Sequence, residues 1–436
     1  MRPFLLLSGP LFIAASFVLT LQRVEPFATF FYLCAWYGLI FTLDRLISAR
    51  EGRSLIGRCG PGFLLLLFWS AISWFFFELI NLRLQNWYYI FVPAQPALRY
   101  GNTFVAFATV YPGIFWIEHY LALREVAANT RRRPLRFSAR GHRVMQLAGL
   151  ICLLLPLLFP LYFFPLIWLA LILILAPFNY KRDPDNLLRQ FEEGRYGPAL
   201  RLLLAGLIAG LLWEFFNFWA RAKWIYTVPF FDQLKLFEMP LAGFLGFPPF
   251  ALECALLYRF LVWHRLAPPC GVYKLQKPAL PAPATRGAVF LLALVFALVT
   301  HHYMDRLTIS SLSPRLARME GLDRHLLTHL EKRRIHYLTD LQGWRARPLW
   351  RDLEAVLEPQ RLAAFQDRLQ LYLHQGIGVE HGNWLVQAGI NSLEKLAGVS
   401  AEEVQRRLRA ADPQGALPSL ARIRVWIRRA PGPAAN

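Results

Sequence analysis

The chain has 436 residues, of which 56% are hydrophobic and only 17% charged, with a mean hydropathy of +0.34. A soluble globular chain carries about 25% charged residues, so the composition excludes an ordinary soluble enzyme and indicates a polytopic membrane protein. The five cysteines are scattered without any Cys-x-x-Cys and no His/Cys spacing reads as a zinc site, so neither a disulfide scaffold nor a metal centre is expected.

In chain order, apolar runs near the length that crosses a ~30 Å hydrocarbon core fall at about 4–21, 27–43, 61–82, 104–123, 199–219, 241–263 and 287–303. A further region, 146–179, would be roughly 51 Å long as one helix, which is too long for one crossing. Arg2 and the loops at 45–60, 124–145, 181–201 and 265–286 carry 21 basic residues. The opposite loops carry six: Arg23, Arg83, Arg99, Arg221, Lys223 and Lys235. Cytoplasmic loops retain Lys and Arg, and both flanks of 146–179 are basic, so this region crosses twice and turns near Pro160 to Pro165. The expectation is nine spans in a bacterial inner membrane, with the N-terminus cytoplasmic. Residues 1–21 also read as a secretory signal sequence, but no small-residue cleavage site stands out before Gln22 and the internal similarity described next needs this helix.

The third span and its exit read Glu78, Asn81, Trp87, Tyr89, Pro93, and the seventh reads Glu214, Asn217, Trp224, Tyr226, Pro229. Order is kept and spacing nearly so, as in an internal repeat. Residues 1–124 and 146–265 therefore read as two tandem four-helix repeats, joined by a basic cytoplasmic loop at 125–145. Residues 266–303 supply a linker and the last span. The expected fold is all-α: about nine transmembrane helices and a small helical C-terminal domain at 304–430. That tail is itself doubled: Gly321, Leu330, Ile335, Leu338, Leu341 and Gly343 recur 55 residues on as Gly376, Leu385, Ile390, Leu393, Leu396 and Gly398.

Buried carboxylates are the sharpest chemical signal, because a charge at bilayer depth costs at least about 2.5 kcal/mol. Glu78 and Glu214 precede Asn81 and Asn217 by one turn, so each pair shares a helix face. Glu118 and Glu253 lie on the returning helices. These six residues are the candidate catalytic set, four acids for proton transfer with amides orienting them; the plain alternative is that each Glu clamps neighbouring helices. Trp87, Tyr89, Trp224 and Tyr226 fit an interfacial aromatic belt. Alternatively, segments 83–103 and 220–240 fold back as lids over a cavity, with those four aromatics binding substrate. No P-loop, Gly-x-Gly-x-x-Gly, Gly-x-Ser-x-Gly or His-Glu-x-x-His is present and no cofactor is implied.

The pattern of a helix Glu, a downstream Trp-x-Tyr and a Pro-plus-acidic segment resembles the membrane-embedded carotenoid-modifying enzymes, the lycopene cyclases and carotenoid hydratases. In this sequence the matching positions are Glu214, Asn217, Trp224, Tyr226 and Pro229, followed by Pro248 and Glu253; there is no Pro-x-Glu-Glu. That resemblance implies catalysis by proton transfer to an isoprenoid. The segment 375–408 resembles a helix-hairpin-helix module, with Gly376-Ile377-Gly378 as the hairpin and Gly376 and Gly378 as the interacting positions. A nucleic-acid partner is not expected: 14 of the 20 net positive charges belong to residues 1–303 and follow from topology, and nine spans put the tail in the periplasm. Membrane lipid, and a protein partner or self-association through 304–430, are the expected contacts. Three functions remain: an enzyme on a lipid or isoprenoid, a small-molecule or proton-coupled transporter, and a scaffold presenting the tail.

Overall fold

A computed structural model describes residues 3–228, 230, 234–270, 283–342, 346–411 and 417–431. Pro229, Gly343, Lys274, Lys277 and Arg2 lie outside the described residues. The first half runs α1 (Pro3–Leu21), α2 (Phe27–Glu51), α3 (Leu55–Cys59), α4 (Gly62–Leu84), β1 (Trp87–Ile90), α5 (Pro96–Phe107) and α6 (Val110–Leu123). The second runs α7 (Ala139–Leu158), α8 (Pro160–Phe163), α9 (Ile167–Asn179), α10 (Leu187–Glu192), α11 (Gly197–Trp219), β2 (Lys223–Tyr226), β3 (Lys235–Leu236), β4 (Met239–Pro240) and α12 (Phe247–Trp263). Helix α13 (Pro283–Leu307) leads to the tail, α14 (Arg324–Lys332), α15 (Arg347–Val356), α16 (Pro359–Leu373), α17 (Gly378–Gln387), α18 (Leu393–Ala397), α19 (Ala401–Ala411) and α20 (Leu420–Arg429).

Among the described residues, seven helical stretches are long and apolar enough to cross a membrane, and Leu6–Leu21 is a shorter apolar helix. The protein is therefore mostly helical and membrane-embedded. Region 146–179 divides as its length requires: α7 ends at Leu158, Phe159 leaves helical geometry, and Pro160 opens the return. Region 104–123 differs from the single span expected. It breaks between α5 and α6, and α6, with 14 residues, is only about 21 Å long. The cause is Ser70 of α4, whose hydroxyl donates to Phe107 O at 2.9 Å and accepts Tyr111 N–H at 3.0 Å. Those two backbone groups would otherwise pair within one helix, and a side chain inserted into the ladder separates them. Pro112 adds to the break by lacking an N–H.

The main core joins both halves. Trp36 of α2 packs on Trp213 and Phe216 of α11 at 5.4 and 5.5 Å, and Tyr111 and Phe115 of α6 meet Tyr258 of α12. Helices α11 and α12 approach so closely that a Cβ at Gly206 would lie 2.4 Å from Phe247 O, the small-residue contact common between membrane helices. At the Arg-rich end, Asp44 is buried and accepts from Ile56 N–H and Trp116 Nε1–H at 3.0 and 3.1 Å. In the second half, buried Asp183 holds Arg259 through two bonds of 2.5 Å. Cys59 and Cys270 form a disulfide at this end, which the cysteine spacing did not point to.

The tail has its own core around Leu330, Leu353, Leu385, Leu396 and Trp426. It sits against the end of the bundle where α4 and α11 finish, opposite the Arg-rich loops. Residues 308–313 run beside β1 and exchange backbone bonds with it: Tyr89 N–H to Thr308 O, Ser310 N–H to Tyr89 O, Val92 N–H to Ser311 O and Ser313 N–H to Val92 O, at 2.7 to 3.2 Å.

Candidate functional site

Short antiparallel strands replace the expected loops after α4 and α11, and their origin is local. Asn81 Nδ2 donates to Trp87 O at 3.0 Å and its Oδ1 accepts Asn86 N–H at 2.9 Å. Asn217 does the same for Trp224, at 3.0 Å to its carbonyl and 2.9 Å from its N–H. Each amide thus turns its helix directly into a strand. The strands then pair with each other, Trp87 opposite Tyr226 and Tyr89 opposite Trp224.

Glu78 and Glu214 are fully buried behind this ladder. One oxygen of Glu78 accepts from Trp74 Nε1, Trp87 Nε1 and Tyr89 OH at 2.9, 3.0 and 2.5 Å. One oxygen of Glu214 accepts from Tyr226 OH at 2.8 Å, and Tyr226 OH accepts from Trp224 Nε1 at 2.9 Å. The second oxygen of each carboxyl is buried and has no partner among the described residues. The two sides are alike in plan and unequal in chemistry, because three donors converge on one acid and a single phenol on the other.

In front of the ladder is a cavity of about 1400 Å³, its mouth included. Trp87, Tyr89, Trp224 and Tyr226 all line it, and thirteen of its twenty-nine lining residues are aromatic. Trp87 and Tyr226 are buried, at 7% and 9% exposure, and Tyr89 and Trp224 are half-buried. Trp74, Trp168 and Trp213 complete the wall, with Met304 and Ile309 closing it from α13 and the strap beyond. Among the described residues Lys223 is the one charged residue on the wall, and its Nζ is bound to Glu238 at 2.7 Å. Glu78 and Glu214 do not themselves line the cavity; they stand behind Tyr89 and Tyr226, whose hydroxyls link acid to cavity.

The other two acids are elsewhere. Glu118 pairs with Arg201 Nε of α11 at 3.0 Å. Glu253 accepts Leu171 N–H at 2.9 Å and ties α12 to α9. Four acids therefore do not converge; two do, each through a tyrosine. Trp74 was missed in the sequence, although it lies four residues before Glu78 on the same face.

Gly376 and Gly378 have φ of +71° and +74°, and the hairpin they form docks on the protein's own strand. A Cβ at Gly376 would lie 2.0 Å from Ile90 Cγ2, and one at Gly378 2.4 Å from Ser311 Cβ. Ser310 Oγ donates to Gly376 O at 3.1 Å and Tyr88 OH to Gln375 O at 2.9 Å. Arg422 stacks on the Tyr88 ring at 5.1 Å and donates to Leu307 O at 2.7 Å. Burial brings this guanidinium down to about 10. The tail is thus fastened over the same strand that carries Trp87 and Tyr89. No family model, no curated protein and no solved structure matches this chain.

Proposed function

We propose that this protein is a membrane enzyme acting by proton transfer on an apolar lipid or isoprenoid, without a cofactor. The observation that carries the reading is the delivery of one carboxyl–phenol pair from each half, Glu78–Tyr89 and Glu214–Tyr226, to one aromatic cavity. A wall of indole and phenyl rings takes up hydrocarbon and rejects ions. In such a dry site a positioned acid or base acts with little reorganisation. On one wall a phenol backed by its carboxyl gives a proton to the substrate, and on the other the second pair removes one. The net reaction is a rearrangement that consumes no oxidant or reductant. The resemblance of Glu214, Trp224 and Tyr226 to the carotenoid-modifying enzymes points the same way.

In this reading the two halves arose by duplication, the chain crosses a bacterial inner membrane nine times, and the N-terminus is cytoplasmic. The tail, with its helix-hairpin-helix resemblance, lies on the periplasmic side as a roof over the cavity. Support for that placement comes from the Arg-rich loops at the opposite end.

The test is replacement of Glu214 by Gln and of Tyr226 by Phe in the producing cell. Lipid extracts are expected to accumulate an apolar precursor while the protein's abundance and melting stay unchanged. Unaltered lipids together with lost pH-driven uptake in vesicles would make the protein a transporter instead. Harmless substitutions, with deletion of 304–436 reproducing the null phenotype, would make it a scaffold.

A further inference from the structure

Resting on the reading of the aromatic cavity as a lipid or isoprenoid site, we propose that its occupant carries an uncharged oxygen function, a hydroxyl or a carbonyl. Asn102 and Thr103 of α5 bind that oxygen, and His301 of α13 stands behind Thr103 as a positioning residue.

Helix α5 separates an exposed face from the cavity: Leu98 and Val105 are exposed, whereas Asn102, Thr103, Ala106 and Phe107 line the cavity. On a wall built largely of rings, Asn102 and Thr103 place an amide and a hydroxyl side by side. Asn81 and Asn217 spend their amides on backbone. The Asn102 side chain makes no hydrogen bond among the described residues, so its carbonyl and its NH2 are both uncommitted where it borders the cavity.

Thr103 is held from behind. Its Oγ shares a hydrogen bond of 3.1 Å with His301 Nε2. His301 is 1% exposed and does not line the cavity, so it acts on an occupant only through Thr103. The Tyr100 ring lies 3.8 Å from the imidazole, and Nδ1 faces Asp305 at 3.7 Å. Asp305 is in turn fixed by Arg99 through two bonds of 2.8 Å. A hydroxyl that donates to Nε2 keeps its lone pairs for a substrate O–H; one that accepts from Nε2–H keeps its hydrogen for a substrate C=O. Either tautomer of the ring thus leaves Thr103 able to bind oxygen, and Asn102 beside it can both accept and donate.

Other occupants fit less well. A pure hydrocarbon would expel water from the Asn102 amide and leave its donors and acceptor unmet. A carboxylate or phosphate would need a free cation, and Lys223 is already bound to Glu238 at 2.7 Å. A cationic lipid would need a carboxylate on the wall, and Glu78 and Glu214 stand behind their tyrosines. An uncharged oxygen on an apolar chain satisfies the amide and the hydroxyl and leaves the rings to the chain.

The experiment uses the full chain in maltoside micelles at a fixed ligand-to-detergent ratio. Four probes share one skeleton: geranylgeraniol, its aldehyde geranylgeranial, the hydrocarbon with hydrogen in place of the hydroxyl, and geranylgeranyl diphosphate. Binding is read from tryptophan fluorescence, because Trp74, Trp87, Trp168, Trp213 and Trp224 line the cavity. The alcohol or the aldehyde is expected to bind about tenfold more tightly than the hydrocarbon and the diphosphate, the worth of one or two hydrogen bonds. Asn102→Leu, Thr103→Val and His301→Leu are each expected to erase most of that preference. His301→Gln, which keeps a hydrogen-bonding group beside Thr103, is expected to retain part of it. Should Thr103→Val fail to fold, Asn102→Leu decides, since it breaks no bond within the protein. Equal affinity for the alcohol, the aldehyde and the hydrocarbon overturns the proposal and leaves the apolar cavity standing. Tighter binding of the diphosphate, or an undiminished preference in folded Asn102→Leu, overturns it as well. Binding of none of the four overturns it together with the reading of the cavity as a lipid site.

Discussion

Substituting Ala for Gly376 tests how the tail is fastened. With φ at +71°, any L side chain there meets the left-handed penalty of about 1–2 kcal/mol. Its Cβ also falls 2.0 Å from Cγ2 and 2.5 Å from Cβ of Ile90, a stiff β-branched residue on a paired strand, and such overpacking costs a further ~1–3 kcal/mol. Gly389 is the matched control: its φ is +81° and a Cβ there meets nothing within 4 Å, so Gly389→Ala carries the backbone penalty alone. Gly321→Ala belongs with the control, because its Cβ meets only the mobile end of Arg368. The excess of ~1–3 kcal/mol corresponds to roughly 5- to 150-fold faster opening of the docked strap. Hydrogen exchange of the full chain in micelles reads this at the Tyr89, Val92, Ser310 and Ser313 amides, the groups that join β1 to residues 308–313. Equal exchange in Gly376→Ala and Gly389→Ala would refute the docking of the hairpin on β1.

Asn81→Ala leaves Trp87 O and Asn86 N–H without their partner, at ~1–3 kcal/mol for each buried group; the variant is expected to melt earlier and to lose exchange protection across β1. His381 is buried, and its pKa is pushed down to about 4 by burial and by the charge of Arg422. Its folded value lies below the unfolded one, so the neutral form's contribution is fully present above about pH 6.5 and is lost as the pH falls toward 4. That loss reaches roughly 3 kcal/mol. Tail undocking followed by hydrogen exchange is expected to rise over this window, and His381→Gln to flatten the rise; an unchanged profile would contradict the assignment. If the Arg-rich end faces the cytoplasm, Cys59 and Cys270 are reduced in growing cells and join only on oxidation. Trapping with a permeant maleimide is expected to label both, and a bond that persists in cells would invert the topology.

Membrane class, the helical tail and the paired Glu-Asn and Trp-x-Tyr spacings were legible in the sequence because each is a local pattern. The strand ladder was not, since nothing local says that Trp87 will lie opposite Tyr226. Asn81 and Asn217 were legible as partners on a helix face, but their bonds go forward to strand backbone, which helix geometry alone does not disclose. The break between α5 and α6 was invisible for a similar reason. It depends on Ser70, a polar residue from another helix, entering the gap between Phe107 and Tyr111. Glu118 and Glu253 looked equivalent to Glu78 and Glu214 because burial and charge are shared by catalytic and structural acids. Only the partners separate them: an arginine and a helix amide for one pair, tyrosines at a cavity wall for the other. The contact of Gly376 with Ile90 was not legible either, because it depends on the docking of two separate cores.

The most direct measurement is mass spectrometry of the apolar molecule that copurifies with the full chain, wild type beside the Glu78→Gln/Glu214→Gln double variant, from the same producing cells. The account predicts one hydrocarbon-rich molecule per protein in both. The variant should hold the unreacted form and the wild type its isomer, equal in mass and separated by chromatography or absorption spectrum. The same isomer in both proteins, or no stoichiometric apolar ligand in either, would contradict it.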